Sequence, residues 1–536
     1  MECRLSAFFN AAVAQKAGCT GKSGSGDPVI TGLEYDSRKV RAGNLYFALR
    51  GLHTDGHRYI GQAVERGAAA VVYEDPAVKP DSGALYLRVR DSRFAMSPVA
   101  ASFYGCPSQR MICIGVTGTE GKSTTVYLIW QFLRLIGKRA GFFSTVLSSL
   151  GGKAEANKEH QTTPEAVEVQ RLLWEMAEGG AEYAVIEASS HGLSPKTNRL
   201  GDVEFSAAVM TNVTHEHLEF HGTWEQYRDD KANLFRALRQ QGVLAPFGVI
   251  NADDPSGPHF VAAAGGAGIL KFSTRGLAAD LSLGSIKSDS GGNWYNVLVA
   301  RTGEIIDVRD RLPGAFNAGN VLAAMLVVSE LLDIPAGDLA PLAAKLLPLK
   351  GRMTRVPNTL GIDLLVDYAH TPSSFQTILP SLRERLDRAG PQGGPADTGN
   401  PRGRPAGRGR LICVFGSAGE RDTQKRPLQG QIAASYADIL VLCDEDPRGE
   451  DSMIILEEIA AGCKKARPDL RWGQDLFLIP DRPGAIRQAL ALANRGDLVL
   501  LLGKGHENSI IYADGPHPYD EIDEAKKAVR ELQEGR

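Results

Sequence analysis

Short apolar runs recur along the chain and alternate with longer segments of mixed polarity. Each run is only a few residues long and rich in β-branched side chains, which is typical of strands buried on both faces of a parallel sheet. In the first part of the chain these runs lie at residues 111–116, 183–187, 207–211 and 248–251. The pattern predicts an α/β fold built around a parallel sheet.

The same alternation starts again after about residue 348, with apolar runs at residues 364–367, 411–415, 439–442 and 498–502. This restart suggests a second nucleotide-type domain. A turn-prone stretch before the first central strand separates a further N-terminal unit. We therefore predict three domains, at residues 1–108, 109–348 and 349–536. Residues 388–410 are almost entirely Gly, Pro, Arg and small polar residues, so we expect a flexible insertion there.

Composition narrows the class of protein. The 536 residues are 43% hydrophobic and 23% charged, which excludes a disordered chain. A net charge of -3 provides no field for holding a polyanion, so we expect no nucleic-acid partner. Seven cysteines without a C-x-x-C pair indicate a reduced, cytoplasmic protein. Because the chain has no run of 18 apolar residues, we expect no membrane insertion, and we expect a monomer.

Residues 115–125 read G-V-T-G-T-E-G-K-S-T-T and connect a predicted buried strand to a helical run at 126–135. Glycines let backbone N–H groups surround a phosphate, a lysine can reach terminal phosphates, and a serine hydroxyl can bind Mg²⁺. Val116 stands where the usual spacing has the first glycine. We predict an ATP-binding loop with the candidate residues Gly118, Thr119, Gly121, Lys122, Ser123 and Thr124.

Acidic and histidine side chains follow two other predicted strands. Glu187 ends one strand, where a carboxylate can hold a hard cation or cap the next helix. Residues 211–222, T-N-V-T-H-E-H-L-E-F-H-G, are dense in histidine, which raises the possibility of zinc. Mg²⁺ is favoured because no cysteine joins the cluster and phosphoryl transfer uses Mg²⁺.

The loop closely resembles the T-G-T-x-G-K-[ST] motif of the Mur ligases and their folylpolyglutamate synthetase relatives. Residues 211–222 and the Y-x-x-x-K-x-x-L-F pattern at 227–235 also resemble motifs of this family. The resemblance implies amide formation in which ATP phosphorylates a carboxylate and an amine then displaces the phosphate. It also implies catalytic roles for Lys122, Glu187, His217 and Lys231, with Ser123, Glu187 and His217 binding Mg²⁺ and Lys231 carbamylated by CO2.

Two asparagines, Asn317 and Asn320, are spaced to share one face of a helix. Their amides suit an adenine edge, and helix capping is the alternative. Residues 351–353 resemble the family's G-R-x hinge strand, and residues 367–372 resemble D-Y-A-H-x-P. The resemblance places three further side chains at ATP: Arg352, Asp367 and His370.

The N-terminal unit contains D-S-R and G-x-x-x-D-G-H elements that resemble those of Mur ligases binding a UDP-sugar; folylpolyglutamate synthetases lack this domain. Residues 162–164 resemble the family's T-T-P loop. The resemblance implies that the acceptor is bound by Ser37, Thr162, Thr163, Ser190 and Arg199. Arg199 lies about two residues further from His191 than is usual.

Three C-terminal segments resemble the diamino-acid site of family members that extend UDP-N-acetylmuramoyl-L-alanyl-D-glutamate. The residues concerned are Arg421, Glu445, Asp446, Arg448, Gly503 and Glu507. Guanidinium groups suit a distal carboxylate and carboxylates suit an ammonium, which favours meso-diaminopimelate. The usual D-N-P-R reads E-D-P-R here, and the extra acid leaves L-lysine and L-ornithine open. The alternative from a different functional class is an ATP-binding regulatory protein that has lost ligase activity.

Overall fold

The computed structural model describes residues 2–51, 54–157, 161–214, 218–240, 244–289, 291–388 and 409–534. The chain divides into two compact units, Met1–Ser282 with Leu322–Leu339 and Leu283–Val321 with Ala340–Arg536. Within the described ranges, none of the helices has both the length and the apolar character that crossing a membrane requires. Most of the predicted insertion at 388–410 lies outside the described residues.

A five-stranded sheet with flanking helices forms the N-terminal part of the first unit. Its strand order is β2-β7-β6-β5-β4, with β4 to β7 parallel and β2 antiparallel. Asp91 caps the last helix by accepting a hydrogen bond from Phe94 N, and Met96 of that helix packs against the sheet. The elements are β1 (Cys3–Arg4), α1 (Leu5–Phe8), α2 (Ala11–Lys16), β2 (Cys19–Ser23), β3 (Val29–Ile30), β4 (Gly32–Glu34), β5 (Asn44–Phe47), α3 (Ile60–Glu65), β6 (Ala70–Tyr73), β7 (Leu85–Val89) and α4 (Ser92–Phe103).

The central part of the first unit has a larger parallel sheet. Its elements are β8 (Ile112–Thr117), α5 (Lys122–Leu135), β9 (Ala140–Phe143), β10 (Leu147–Ser149), β11 (Glu155–Ala156), α6 (Ala166–Glu178), β12 (Tyr183–Glu187), α7 (Ser190–Leu193), β13 (Ala207–Met210), α8 (Leu218–His221), α9 (Trp224–Arg236), β14 (Phe247–Asn251), α10 (Gly257–Ala263) and β15 (Gly268–Ser273). Strands β9-β12-β8-β13-β14-β15 are parallel, and β10 and β11 extend one edge in antiparallel order.

The register of this sheet aligns three strand ends. Glu187 of β12 pairs with Val116 of β8, and Met210 of β13 pairs with Thr117. The segments that follow these strands therefore leave the same edge of the sheet side by side. They carry the predicted phosphate loop, the strand-end carboxylate and the start of the histidine-rich segment.

The remaining elements are β16 (Leu281–Asp289), β17 (Gly292–Val299), β18 (Glu304–Asp310), α11 (Asn317–Leu332), α12 (Ala336–Ala343), β19 (Thr354–Arg355), β20 (Asp363–Asp367), α13 (Pro372–Arg388), β21 (Leu411–Phe415), α14 (Lys425–Tyr436), β22 (Ile439–Leu442), α15 (Ser452–Ala466), β23 (Leu476–Leu478), α16 (Arg482–Leu492), β24 (Leu498–Leu502), β25 (Ser509–Tyr512), β26 (Gly515–Pro518) and α17 (Glu521–Glu534). In the second unit, β19-β20-β24-β21-β22-β23 form a sheet whose strands are parallel except β19.

The predicted α/β class and the predicted apolar strands are confirmed. All eight apolar runs form strands, and the observed ends differ from the predicted ones by at most one residue. The helix after the phosphate loop begins at Lys122 rather than at Val126, because its polar first turn hides the apolar periodicity. Residues 351–353 precede β19 instead of forming a strand, since Gly351 and Met353 have φ values of +71° and +50°.

A buried carboxyl closes the β17–β18 ladder. Asp310 Oδ1 accepts hydrogen bonds from Asn293 Nδ2 at 2.9 Å and from Leu312 N at 2.8 Å. Burial nevertheless raises the pKa of Asp310 to about 6. Because the unfolded chain ionises this carboxyl near pH 4, the folded state loses stability as the pH rises from about 4 to 6.

We expect Asp310→Asn to remove that pH dependence. Two pKa units correspond to about 3 kcal/mol, so wild type should lose about that much stability relative to the variant between pH 4 and pH 7. Thermal midpoints of both proteins across this range measure the effect. Asp307→Asn is the matched control because Asp307 is exposed on the same strand. Parallel midpoint curves for wild type and Asp310→Asn would contradict the prediction.

Candidate active site

The loop between β8 and α5 has a backbone that requires glycine. Gly118 and Gly121 have φ values of +149° and +84°. A Cβ atom on Gly118 would lie 1.9 Å from Thr211 Oγ1. Asn212 supports the loop, since its carbonyl and side-chain oxygens accept hydrogen bonds from Thr119 N and Glu120 N, each at 2.8 Å. The loop is thus held in front of the N-terminus of α5, where anions are stabilised.

The first residues of α5 supply a cation and a hydroxyl. Lys122 Nζ donates to Thr119 O at 2.7 Å, so the ammonium is folded back over the loop. Ser123 Oγ donates to Glu187 Oε1 at 2.9 Å. Thr124 follows on the same helix turn and is half-buried. The predicted phosphate-loop residues and the predicted strand-end carboxylate are therefore in direct contact.

Glu187 is a buried carboxylate that is 1% exposed. Its Oε2 accepts a hydrogen bond from Thr145 N at 2.7 Å. No lysine or arginine of the described segments forms an ion pair with it. A buried anion held only by neutral donors, next to a serine hydroxyl, is a hard-oxygen donor set that suits Mg²⁺.

His217, the third predicted metal ligand, lies outside the described residues. The residues that are described contain no group of three or more His, Cys, Asp or Glu side chains arranged to hold a metal ion. The structure therefore brings together Ser123 and Glu187 of the predicted metal set.

Lys231 lies on α9 and is 1% exposed. Its Nζ donates to Gly118 O at 2.5 Å and lies 4.4 Å from the centre of the Tyr227 ring. Tyr227 OH in turn lies 3.1 Å from Thr119 Oγ1. A lysine on a solvated helix face would be exposed, so this side chain differs from an ordinary surface lysine and contacts the phosphate loop.

The predicted acceptor residues of the central sheet also meet at this edge. Thr163 Oγ1 donates to Glu187 O at 3.0 Å, and Thr162 Oγ1 accepts from Thr145 Oγ1 at 3.1 Å. Arg199 donates to Thr163 O at 2.8 Å, so its longer spacing does not remove it from the T-T-P loop. Arg199 Nε is buried and has no acceptor among the described residues.

Ser190 is the fourth of these residues and belongs to a buried polar chain. Its Oγ lies 3.1 Å from His221 Nε2, and His221 Nδ1 lies 2.7 Å from Asp230 Oδ2. Because a carboxylate can only accept, His221 Nδ1 carries a proton and donates to Asp230, and Ser190 Oγ lies within hydrogen-bond distance of Nε2. Ser190 is thus positioned by a buried histidine–aspartate pair.

Ser37, the predicted acceptor residue of the N-terminal sheet, is buried and donates to Gln62 Oε1 at 3.0 Å. It lies in the connection between β4 and β5. It thus belongs to a different sheet from the phosphate loop.

The residues predicted to contact the nucleotide base and ribose belong to the second unit. Asn320 Nδ2 donates to Asn317 Oδ1 at 2.9 Å, so the two amides are bonded to each other as well as sharing a helix face. Asp367 accepts from Met353 N and Ala369 N, each at 2.7 Å. Burial raises the pKa of the Asp367 carboxyl, although the Arg352 guanidinium lowers it.

The same region stacks Arg352 against an aromatic ring. Its guanidinium carbon lies 4.8 Å from the centre of the Tyr368 ring. His370 Nδ1 lies 2.9 Å from Tyr368 O, and Tyr368 OH donates to Glu507 Oε1 at 3.2 Å. Tyr368 therefore connects two predicted nucleotide residues with one predicted amino-acid residue.

Five of the six residues predicted to bind the amino-acid substrate follow the carboxyl ends of β22 and β24. Glu445 is buried, and its Oε2 has no hydrogen-bond donor among the described residues. A Cβ atom on Gly503 would lie 3.2 Å from that oxygen. Burial raises the pKa of the Glu445 carboxyl. A buried carboxylate oxygen without a donor favours a ligand that brings one.

Asp446, Arg448 and Glu507 complete the predicted set. Asp446 Oδ1 and Glu507 Oε2 lie 2.8 and 2.5 Å from Lys504 Nζ. Within the described part of the chain, the Arg448 guanidinium forms no ion pair and its Nε is buried without an acceptor. Arg421 is exposed. The structure brings Glu445 together with Gly503 and Asp446 together with Glu507 through Lys504, with Arg448 two residues beyond Asp446, and leaves the side chain of Arg421 at the surface.

Comparison with known proteins identifies the family. Three family models match the chain: the Mur ligase family catalytic domain at residues 29–104, the Mur ligase middle domain at 116–328, and the Mur ligase glutamate ligase domain at 402–505. The UDP-N-acetylmuramyl-tripeptide synthetase of Treponema denticola is 47% identical, with 94% of this chain and 95% of the relative covered. The chain belongs to the Mur ligase family.

Two further relatives agree with this assignment. The UDP-N-acetylmuramoyl-L-alanyl-D-glutamate–2,6-diaminopimelate ligase of Geobacillus kaustophilus is 35% identical over 94% of this chain and 96% of the relative. A solved structure of a ligase of the same name has a TM-score of 0.60 at 28% identity, covering 94% of this chain and 95% of the other. The predicted three-domain Mur ligase fold and ATP-dependent ligation are confirmed.

Four further residues of this Mur ligase lie near the predicted site residues but have no sequence signal of their own. Thr145, His221 and Lys504 each contact a predicted residue, and Asp230 contacts His221. His221 and Lys504 stand inside motifs that were recognised, at 211–222 and 503–507. Burial is the signal that separates them from surface residues, since His221 and Asp230 are 4% and 1% exposed and Lys504 is 0%.

Proposed function

We propose that this Mur ligase adds a diamino acid to the D-glutamate of UDP-N-acetylmuramoyl-L-alanyl-D-glutamate, in the synthesis of a peptidoglycan precursor. Meso-diaminopimelate is the proposed amine, and L-lysine and L-ornithine are the alternatives. In the proposed reaction, ATP phosphorylates the glutamate carboxylate, and the amine attacks the acyl phosphate and displaces phosphate.

The proposed ATP residues are those of the loop and helix α5, together with Asn317, Asn320, Arg352, Asp367 and His370. The hydrogen bond between Ser123 and Glu187 supports assigning both to Mg²⁺, with His217 as the further proposed ligand. When bound, Mg²⁺ supplies positive charge that stabilises the phosphate oxygens. Lys122 is proposed to swing from Thr119 O to the terminal phosphates.

We propose that Lys231 acts as its carbamate. The lysine ammonium first loses a proton, and the neutral amine then adds to CO2 and releases a second proton. The cation thereby becomes an anionic carbamate. The burial of Lys231 against the loop supports this role, because a carboxylate there could orient a cation bound at Ser123 and Glu187. The Gly118 carbonyl that now accepts from Nζ lies in the same loop.

The acceptor is proposed to bind to Ser37, Thr162, Thr163, Ser190 and Arg199. The Arg199 guanidinium is paired with Glu165 Oε1 at 2.9 Å, and its buried Nε, which has no acceptor among the described residues, supports this assignment as a remaining donor. The peptide carboxylate of the acceptor is a suitable partner for it. Ser190, positioned by His221, offers its hydroxyl to the acceptor peptide.

The choice of amine rests on one observation: in the described part of the chain, the Arg448 guanidinium has no carboxylate partner. In the structure Asp446 pairs with Lys504, so it does not neutralise Arg448. A guanidinium without an internal carboxylate can bind the distal carboxylate of diaminopimelate, and the Glu445 oxygen can accept from its distal ammonium. Lysine and ornithine would use Glu445 but would leave Arg448 without a partner.

The test is an assay of diaminopimelate, lysine and ornithine, each with ATP and the UDP-dipeptide acceptor. A ligase should release ADP only when acceptor and amine are both present. We expect diaminopimelate to have the highest kcat/KM. Faster turnover of lysine or ornithine would overturn the choice of amine, and ADP release without ligated product would overturn the ligase assignment itself.

We expect Arg448→Ala to lower kcat/KM for diaminopimelate by at least about tenfold, the effect of one lost charge-assisted contact of roughly 1.4 kcal/mol. Lysine turnover should change much less, because lysine has no distal carboxylate. Arg530→Ala is the matched control, since Arg530 is exposed on α17 of the same unit. Equal losses with both amines would contradict the proposed contact.

A further inference from the structure

Lys504 is a buried cation that the proposed reaction does not use. It follows β24 and Gly503, and it is 0% exposed. Burying an ammonium without partners is costly, so its contacts must compensate for lost hydration. It makes two such contacts, and both are with residues of the proposed amino-acid site.

The two partners come from different strand ends. Lys504 Nζ lies 2.8 Å from Asp446 Oδ1 and 2.5 Å from Glu507 Oε2. The carboxylates are also fixed from other directions, because Ile511 N donates to Asp446 Oδ1 at 2.9 Å and Tyr368 OH donates to Glu507 Oε1. One buried ammonium thus joins two carboxylates that would otherwise repel each other.

The pairing of Lys504 with both carboxylates sets the net charge of the residues near Arg448. Arg448 is two residues from Asp446, and its backbone N–H donates to Ile511 O at 2.9 Å. Asp446 and Arg448 therefore contact the same β25 segment, yet Asp446 pairs with Lys504 instead of with the guanidinium. Without the Lys504 charge, Asp446 and Glu507 would add uncompensated negative charge beside Arg448.

We propose that Lys504 is a specificity-determining positioning residue, whose charge neutralises Asp446 and Glu507 and so keeps Arg448 available for a distal substrate carboxylate. The inference rests on the proposed function, because it assumes that the amine binds at these residues. It predicts how the preference between two amines changes, independently of which amine wild type prefers.

The experiment compares kcat/KM for diaminopimelate and lysine in wild type, Lys504→Met and Asp446→Asn. Lys504→Met should lower the diaminopimelate-to-lysine ratio by about tenfold, since one charge at close range is removed. Asp446→Asn should raise the ratio, because it removes a negative charge and leaves Lys504 in place. The KM for ATP should stay within about twofold in both variants. Lys526→Met, a surface lysine paired with Asp523, is the control.

The opposite changes expected for the diaminopimelate-to-lysine ratio in the two single variants distinguish this role from a structural one. A merely structural lysine would lower turnover of both amines together, and the double variant Lys504→Met with Asp446→Asn would not recover the ratio. Equal losses, or a ratio that falls in both single variants, would overturn the proposal. If Lys504→Met does not fold, Asp446→Asn alone decides, and an unchanged or lower ratio overturns it. Wild-type turnover tests the proposed function separately.

Discussion

Lys122→Ala is expected to abolish turnover and to leave binding of the UDP-sugar acceptor nearly unchanged. The ammonium lies over the phosphate loop, 2.7 Å from Thr119 O, where it can move to a transferred phosphate. Charge stabilisation of this kind typically contributes a factor of about 10² or more to kcat. The UDP part of the acceptor is proposed to bind near Ser37, between two strands of the N-terminal sheet, and Lys122 Nζ contacts Thr119 O rather than the acceptor residues of the central sheet, so the acceptor affinity should change little.

Direct binding of labelled acceptor to the variant and a steady-state assay measure the two effects separately. Lys138→Ala is the matched control, because Lys138 lies just beyond the other end of helix α5 and contacts none of the predicted site residues that the structure describes. A thermal midpoint close to that of wild type shows that the variant is folded. A parallel loss of acceptor affinity would mean that phosphate and acceptor binding are not separable.

Much of the fold could be predicted because buried parallel strands are continuous apolar runs. Strands β12, β21, β22 and β24 have the predicted ends for this reason. Edge strands lack that signal: β2, Cys19–Ser23, is mostly polar and exposed, and in the described part of the chain it pairs with β7 alone. Its existence depends on a partner strand that is distant in sequence, which local patterning does not indicate.

The candidate site shows a similar limit. The resemblance implied that Ser123 of the phosphate loop and Glu187 bind one Mg²⁺, and the structure brings these two side chains into contact. The sequence left open whether Glu445 and Asp446 neutralise Arg448 internally. That question depends on which cation reaches Asp446, and the fold brings Lys504 to it from another strand end. Pairing between side chains from separate strands is a property of tertiary structure.

Lys231→Ala is expected to be nearly inactive and to recover part of its activity with a short exogenous carboxylate. Wild type contains a buried nitrogen between Gly118 O and the Tyr227 ring, and alanine leaves a space there. If the working group is a carbamate, formate or acetate in that space restores the lost negative charge. If the working group is the ammonium, a short alkylamine restores activity instead.

The two rescue agents therefore distinguish the anionic from the cationic role. Carbamylation also predicts that wild type loses activity in CO2-depleted buffer and regains it with bicarbonate, and that ¹³C-enriched bicarbonate gives a carbamate resonance that Lys231→Ala lacks. Lys196→Ala is the control for loss of a lysine in the same unit, since Lys196 is exposed and donates to Phe220 O. Full activity of Lys231→Ala, or rescue by the amine alone, would contradict the proposal that Lys231 acts as its carbamate. Rescue by carboxylate alone would identify an anion at position 231 as the group that this site needs.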